Sequence, residues 1–97
     1  MTREYILEYL QSHKDELKQK YGVIQIGLFG SYAKDMQTQE SDIDLAIEMS
    51  KDKKSLRNFF GLKRELEATF NKKVDLGIES SLKPLVKEYI KKEIIYV

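Results

Sequence analysis

The residues best suited to chemistry are a glycine–serine turn and two aspartates that follow it. Ten residues separate Gly30-Ser31 from Asp42, and Asp44 lies two positions further on. Glycine lets the backbone turn tightly and approach an anion, and the serine adds a hydroxyl where the free N–H groups of a helix start favour phosphate. Aspartates supply the oxygen ligands that Mg²⁺ prefers. This combination indicates chemistry on a nucleotide.

The aspartates fall in a strand-like segment, with Asp42 and Asp44 on one face and Ile43 and Leu45 on the other. Two carboxylates on one face repel each other unless a counter-charge is present, and Mg²⁺ bridging to nucleotide phosphates supplies one. A third acid, Asp75, is predicted on the same face of a neighbouring strand, where it could hold metal or accept a proton from the nucleophile. The layout fits phosphoryl or nucleotidyl transfer, in which positioning and charge neutralisation provide most of the catalysis.

Each of these features also has an ordinary structural explanation. Glycine–serine after a strand is a common turn, and an Asp-x-Asp strand is more often a solvated edge than a metal site. The order and spacing of the turn and the three acids favour a site. His13, the only histidine, is interpreted as bordering an apolar helix stripe, and Tyr32 as a packed side chain rather than one that stacks on a base.

Hydrophobic periodicity predicts the elements that position these residues. They are a helix from a cap at Thr2 to Gly22, a strand over 23–29, a short helix from Ser31, a strand over 42–49, a helix between Ser55 and Asn71, a strand over 73–78, a last helix capped by Ser81, and a short strand over 94–97. The last helix is expected to turn five side chains inward: Leu82, Leu85, Val86, Tyr89 and Ile90. The predicted fold class is α/β (α+β), a small mixed sheet with helices packed on one face.

Composition limits the possible functions. The 97 residues fit one domain over 1–97, with 41% hydrophobic and 34% charged residues, as in soluble globular proteins. No apolar run reaches bilayer length, and the N-terminus lacks the apolar core of a secretion signal, so we expect a cytoplasmic protein. A formal net charge of +1 creates no global field for nucleic acid, and none is expected to bind directly. The absence of cysteine excludes thiolate chemistry.

The pattern Gly30-Ser31, ten residues, Asp42-x-Asp44 and a later Asp75 resembles the minimal nucleotidyltransferase domains of the DNA polymerase beta superfamily, known as MNT or MntA antitoxins. The resemblance spans nearly the whole chain, since the segment from Leu82 to Val97 is similar to that family's closing helix and strand. It implies the nucleotidyltransferase fold. It also implies transfer of a nucleoside monophosphate, usually AMP from ATP, to a hydroxyl with release of pyrophosphate.

The resemblance also implies roles for individual residues. Asp42 and Asp44 would bind two Mg²⁺, Asp75 would be the third catalytic carboxylate, and Gly30 with Ser31 would hold the triphosphate of ATP. Members of the family commonly pair with a helical HEPN-domain toxin, a ribonuclease that some of them neutralise by adenylylating a tyrosine. A HEPN-domain toxin is therefore the expected partner.

The chain departs from the family pattern just after the serine. The family often has alanine, arginine and glycine where this chain has Ala33-Lys34-Asp35. Lys34 keeps the positive charge of arginine but not its planar fork. Asp35 replaces a flexible glycine and adds negative charge near the proposed phosphate site.

Only the short segment 76–97 follows the last acid, so no second substrate domain is expected. The acceptor would be held by a partner or by a second copy of the chain in a homo-oligomer, which favours Mg²⁺-dependent transfer to a protein. Two alternatives stay open. One is a catalytically vestigial antitoxin that neutralises its partner by binding alone, and the other is an enzyme that modifies a small hydroxylated molecule such as an aminoglycoside.

Overall fold

The computed structural model describes residues 1–97 as one four-stranded sheet with five α-helices. In chain order the elements are α1 (Arg3–Ser12), α2 (Lys14–Tyr21), β1 (Val23–Phe29), α3 (Gly30–Ala33), β2 (Ile43–Met49), α4 (Leu56–Phe70), β3 (Val74–Ile78), α5 (Pro84–Lys91) and β4 (Ile95–Tyr96). The strand order is β3-β2-β1-β4, with β1 antiparallel to β2 and β4, and β2 parallel to β3. This mixed sheet confirms the predicted fold class. No helix is both long and apolar enough to cross a membrane.

One face of the sheet carries the hydrophobic core. Alternate residues of the central strands point to this face because strand side chains have a period of two. The buried strand residues there include Ile26, Leu28, Ile43, Leu45, Ile47 and Val74. Helices α1, α2 and α4 cover them with Ile6, Leu10, Leu17, Leu62, Leu66 and Phe70.

The opposite face, which carries Asp44, Ala46 and Glu48 of β2, is called the acid face here. A row of small residues crosses it, because Ala46 is the register partner of both Gly27 and Gly77. A Cβ atom built on Gly27 would lie 2.7 Å from Ile94 Cδ1, and one on Gly77 would lie 3.6 Å from Leu82 Cδ2. The C-terminal segment therefore packs on the acid face, next to the row that carries the aspartates.

The first predicted helix is divided in two at His13. Its ends are as predicted, because the Thr2 hydroxyl accepts the Tyr5 N–H at 3.1 Å and Gly22 ends α2 with a φ of 78°. At His13 the backbone leaves helical geometry, with φ −106° and ψ 10°. The imidazole Nδ1 donates to the Tyr9 carbonyl at 2.8 Å and the ring stacks on the Tyr9 ring. These two contacts accompany the break in the helix.

The predicted start of the last helix at Ser81 was wrong. Glu79–Ser81 form a 3-10 turn, in which the Ser80 N–H and hydroxyl both donate to Glu48. Helix α5 starts at Pro84, since proline has no N–H to lose in a first turn and its φ suits a helix.

The inward face predicted for this helix was also largely wrong. Ile90 is buried, but Leu85 is 85% exposed, Tyr89 is 65% exposed and Val86 is 42% exposed. Helix α5 therefore leaves most of its apolar side chains open to solvent.

Helix α4 offers a direct test of capping. The Ser55 hydroxyl accepts the Asn58 N–H at 3.1 Å, so Ser55→Ala should lower the free energy of unfolding by about 1 kcal/mol in urea titrations. Ser81→Ala is the matched control, because Ser81 is exposed and caps no helix, and it should change stability by less than about 0.5 kcal/mol. Equal losses from both substitutions would contradict the capping assignment.

Candidate active site

The three predicted acids lie at one end of the β2–β3 pair. Asp44 and Asp75 are direct register partners in this parallel pair. Asp42 comes immediately before β2, whose first residue, Ile43, donates its N–H to the Lys73 carbonyl at 3.0 Å. Asp42 and Asp44 are half-buried, and Asp75 is exposed. The sheet thus brings together carboxylates that are more than thirty positions apart in the chain.

Lys72 holds the loop that leads to Asp42. Its Nζ donates to the carbonyls of Gln39 and Ser41, at 2.6 and 3.2 Å. These bonds connect the loop that ends at Asp42 to the residues just before β3.

The glycine–serine turn lies directly against Asp44. Phe29, the last residue of β1, is the register partner of Asp44, and Gly30 follows with a φ of 77°. A Cβ atom built on Gly30 would lie 2.9 Å from the Asp44 Cγ. Glycine is therefore required both by the left-handed backbone and by the space that the carboxylate fills. Ser31, half-buried in α3, lies beside this contact.

Asp44 carries a charge that the protein does not balance. Burial raises its pKa to about 6, and the carboxylates of Asp75, Asp42 and Glu93 add to the increase. No lysine or arginine forms an ion pair with Asp44. The site thus has an excess of negative charge where Asp44 packs against the turn.

This excess charge fits a divalent cation, although the protein alone does not supply a complete cage. No three Asp, Glu, His or Cys side chains come close enough together to hold a metal ion. Mg²⁺ usually takes only one or two carboxylates and completes its shell with water and substrate phosphates. Asp42, Asp44 and Asp75 are the residues that could contribute, and their role as metal ligands stays a prediction.

The structure adds one acid that the sequence did not predict, Glu93, which follows α5. Its Oε1 accepts the Gly30 N–H at 3.2 Å, and its Oε2 lies 3.0 Å from Lys34 Nζ. The hydrogen bond and charge of Glu93 raise the pKa of Lys34. Lys34 Nζ also lies 5.6 Å from the centre of the Tyr89 ring. No sequence motif connects Glu93 with the turn, which lies 63 positions earlier.

Two further residues near the turn are now explained. Tyr32 is 1% exposed, which confirms that it packs in the core instead of offering a ring to a base. Asp35 has a φ of 59°, a left-handed conformation that glycine adopts freely and aspartate tolerates. The turn after the serine is therefore formed even though aspartate stands where the family often has glycine.

Comparisons with known proteins agree on one family. A sequence model described as the nucleotidyltransferase domain matches residues 10–97. The chain is 37% identical to the protein adenylyltransferase MntA of Thermococcus cleftensis, over 100% of this chain and 97% of that protein.

Two solved structures are similar in fold. One, provisionally identified as a minimal nucleotidyltransferase, has a TM-score of 0.82 and 26% identity, covering 98% of this chain and 95% of the other. The second is the complex of tri-AMPylated Shewanella oneidensis HEPN toxin with MNT antitoxin, matched with a TM-score of 0.64 and 20% identity over 92% of this chain and 69% of that one. At that identity, the second likeness concerns the fold alone.

The charge on Asp44 should make the metal-free fold less stable. Because the folded pKa of about 6 lies above the ordinary 3.8, ionised Asp44 costs free energy above pH 6, and the cost disappears as pH falls below 3.8. Asp44→Asn should raise the free energy of unfolding at pH 8 by about 1 kcal/mol, after allowance for solvent screening of a half-exposed group.

Urea titrations in EDTA at pH 8 and pH 4 measure this effect, and most of the gain should be absent at pH 4. Asp52→Asn, in an exposed loop, is the matched control and should show little change at either pH. A loss of stability in the Asp44→Asn protein at pH 8 would contradict the charge assignment.

Proposed function

The chain belongs to the nucleotidyltransferase domain family, and on this premise we propose that it transfers AMP from ATP to a hydroxyl of a partner protein, with Mg²⁺ as cofactor. One observation carries the proposal: strand pairing puts Asp44 beside Asp75 and presses Gly30 against Asp44. The turn and the acids therefore lie together at one end of three neighbouring strands. Asp42, Asp44 and Asp75 are the catalytic residues we assign.

The phosphates of ATP would be held by the glycine–serine turn. The Gly30 N–H and the Ser31 hydroxyl are the donors we assign to the phosphate oxygens, and Lys34 is the cation that shares the Glu93 carboxylate with the Gly30 N–H. A backbone N–H and an ammonium group together give charge-assisted hydrogen bonds to an anion. This is why ATP would bind at the end of β1 rather than elsewhere on the sheet.

The acids would hold the cofactor and receive a proton. When bound, Mg²⁺ would neutralise the charge that gathers on the triphosphate and help to ionise the attacking hydroxyl. The acceptor oxygen forms a bond to the α-phosphorus, and the bond from that phosphorus to the bridging oxygen breaks, so that pyrophosphate leaves. Asp75 is exposed, so it can reach a protein hydroxyl and accept its proton.

The partner we propose is a helical HEPN-domain toxin, with this chain acting as its antitoxin. Support comes from the protein adenylyltransferase MntA, which is similar over its full length, and from the HEPN toxin complex, which is similar in fold. The chain also offers exposed apolar side chains on α5, namely Leu85, Val86 and Tyr89. Tyr89 lies next to Lys34, so a protein held on this helix would be close to the site. The cytoplasmic location expected from the sequence stays a prediction.

A transfer assay tests the reaction. The protein encoded by the adjacent gene is incubated with Mg²⁺, α-labelled ATP and either the wild-type chain or the Asp42→Asn/Asp44→Asn variant. Removing both carboxylates should reduce labelling of the partner by about 100-fold or more, because they neutralise the charge of the reacting phosphates. The variant should still fold and still bind the partner.

Asp15→Asn/Asp52→Asn removes the same number of charges at exposed positions and should label the partner normally. Equal labelling by the Asp42/Asp44 variant would contradict the proposal. A stable complex with no label from any version would instead support neutralisation by binding alone. Labelling of an aminoglycoside but not of the partner would support a small-molecule enzyme.

Metal binding should depend on pH. Mn²⁺ takes the same oxygen ligands as Mg²⁺ and can be followed by electron paramagnetic resonance. Since the pKa of Asp44 is raised to about 6, the affinity for Mn²⁺ should fall about tenfold between pH 7.5 and pH 5, where only about a tenth of that carboxyl is ionised. The Asp44→Asn protein should bind Mn²⁺ weakly at both values. Equal wild-type affinity at both would contradict the role of Asp44 as a ligand.

A further inference from the structure

Two groups that the proposed function assigns to phosphate are already bound to another anion of the same chain. The Glu93 carboxylate accepts the Gly30 N–H at 3.2 Å with one oxygen and approaches Lys34 Nζ to 3.0 Å with the other. Its side chain is only 14% exposed. A backbone N–H together with an ammonium group is the arrangement that a phosphate oxygen would use.

The backbone around Glu93 holds the carboxylate in this place. The Glu93 N–H donates to the Ile90 carbonyl at 2.9 Å, at the end of α5. Directly after it, Ile94 packs over Gly27, and Ile95 pairs with Leu28 of β1. Glu93 is thus fixed between the end of α5 and the edge strand β4.

The neighbouring carboxylates repel the Glu93 carboxylate, and only its contacts with the Gly30 N–H and Lys34 offset this repulsion. Asp44 carries an unbalanced charge, and Glu93 is among the acids that increase it. A carboxylate placed beside other carboxylates is repelled by them. The Gly30 N–H and Lys34 offset that repulsion only while no stronger anion competes for them.

We propose that Glu93 occupies the phosphate position of the nucleotide-free enzyme, and that the triphosphate of the incoming nucleotide must displace it. The inference rests on the proposed function. In the exchange, the Glu93 carboxylate leaves the Gly30 N–H and Lys34 Nζ, and phosphate oxygens take both contacts. The C-terminal segment is then an internal competitor that lowers the apparent affinity for nucleotide, because binding requires the displaced form.

Binding of two probes tests the competition. Inorganic triphosphate and the Mg²⁺ complex of AMP-PNP, an ATP analogue that is not hydrolysed, are titrated into the full chain by calorimetry. The Gly30 amide signal in NMR spectra reports whether each probe reaches the turn. Glu93→Gln removes the charge with little change of shape and should bind both probes about fivefold more tightly or better.

Two variants complete the comparison. Glu88→Gln is the matched control, because Glu88 lies on α5, is exposed, and forms no ion pair, and its affinities should stay within about twofold of wild type. Glu93→Asp keeps the charge but is one methylene shorter, so it cannot reach both the Gly30 N–H and Lys34. It should also bind the probes more tightly than wild type, and it provides a second test if Glu93→Gln does not fold.

The outcomes separate this inference from the proposed function. Unchanged or weaker binding by both Glu93 variants would overturn the inference, and weaker binding would indicate that Glu93 is an additional ligand of the metal–nucleotide complex. Such a result leaves the proposed function standing if label transfer still requires Asp42 and Asp44. Tighter triphosphate binding by the Glu93 variants, without any binding of AMP-PNP, would show that Glu93 competes with phosphate, but it would overturn nucleotide as the competing ligand and contradict the proposed function.

Discussion

The register of β2 against its two neighbours is the constraint on which the site depends. Pairing with β3 puts Asp44 beside Asp75, and pairing with β1 puts the turn after Phe29 beside Asp44. A slip of one residue would move Asp44 to the core face, because strand side chains alternate with a period of two. Fully buried Leu45 and Ile47 oppose such a slip. The hydrophobic core therefore decides where the charged residues lie.

A second constraint is the row of small residues on the acid face. Gly27, Ala46 and Gly77 leave room for Ile94 and Leu82 to lie close to the sheet. That close approach brings the C-terminal segment next to the glycine–serine turn. The contact between Glu93 and the turn therefore depends on the small side chains of this row. Ala46 and Gly77 stand two positions after Asp44 and Asp75 in the sequence.

The parts of the fold that depend on local patterns could be predicted from the sequence. Alternation placed the strands, and Ser55 marked the start of α4, because both signals lie within a few residues of the feature they determine. The break at His13 coincides with contacts between His13 and Tyr9, and hydrophobic periodicity does not indicate them.

The errors in α5 have a related cause. The apolar side chains of this helix lie on one broad face, and only the packing partner decides which of them are buried. Ile90 is buried and Leu85 is not. Glu93 and Gly30 are 63 positions apart in the sequence, and no sequence motif predicts a contact between residues so far apart. The sequence accordingly predicted the three aspartates and the glycine–serine turn of the candidate site, but it did not predict Glu93, which contacts the turn.

The balance of charge connects these features. The chain has a formal net charge of only +1, yet it gathers Asp42, Asp44, Asp75 and Glu93 near one turn. Lys34, which follows that turn, is paired with Glu93 rather than with Asp44. A cation would relieve the acids, and a phosphate would take Lys34 and the Gly30 N–H. Each would remove a different part of the repulsion, the cation by neutralising Asp44 and the phosphate by releasing Glu93 toward solvent. A metal–triphosphate complex supplies both charges at once, so it should bind more favourably than either component alone.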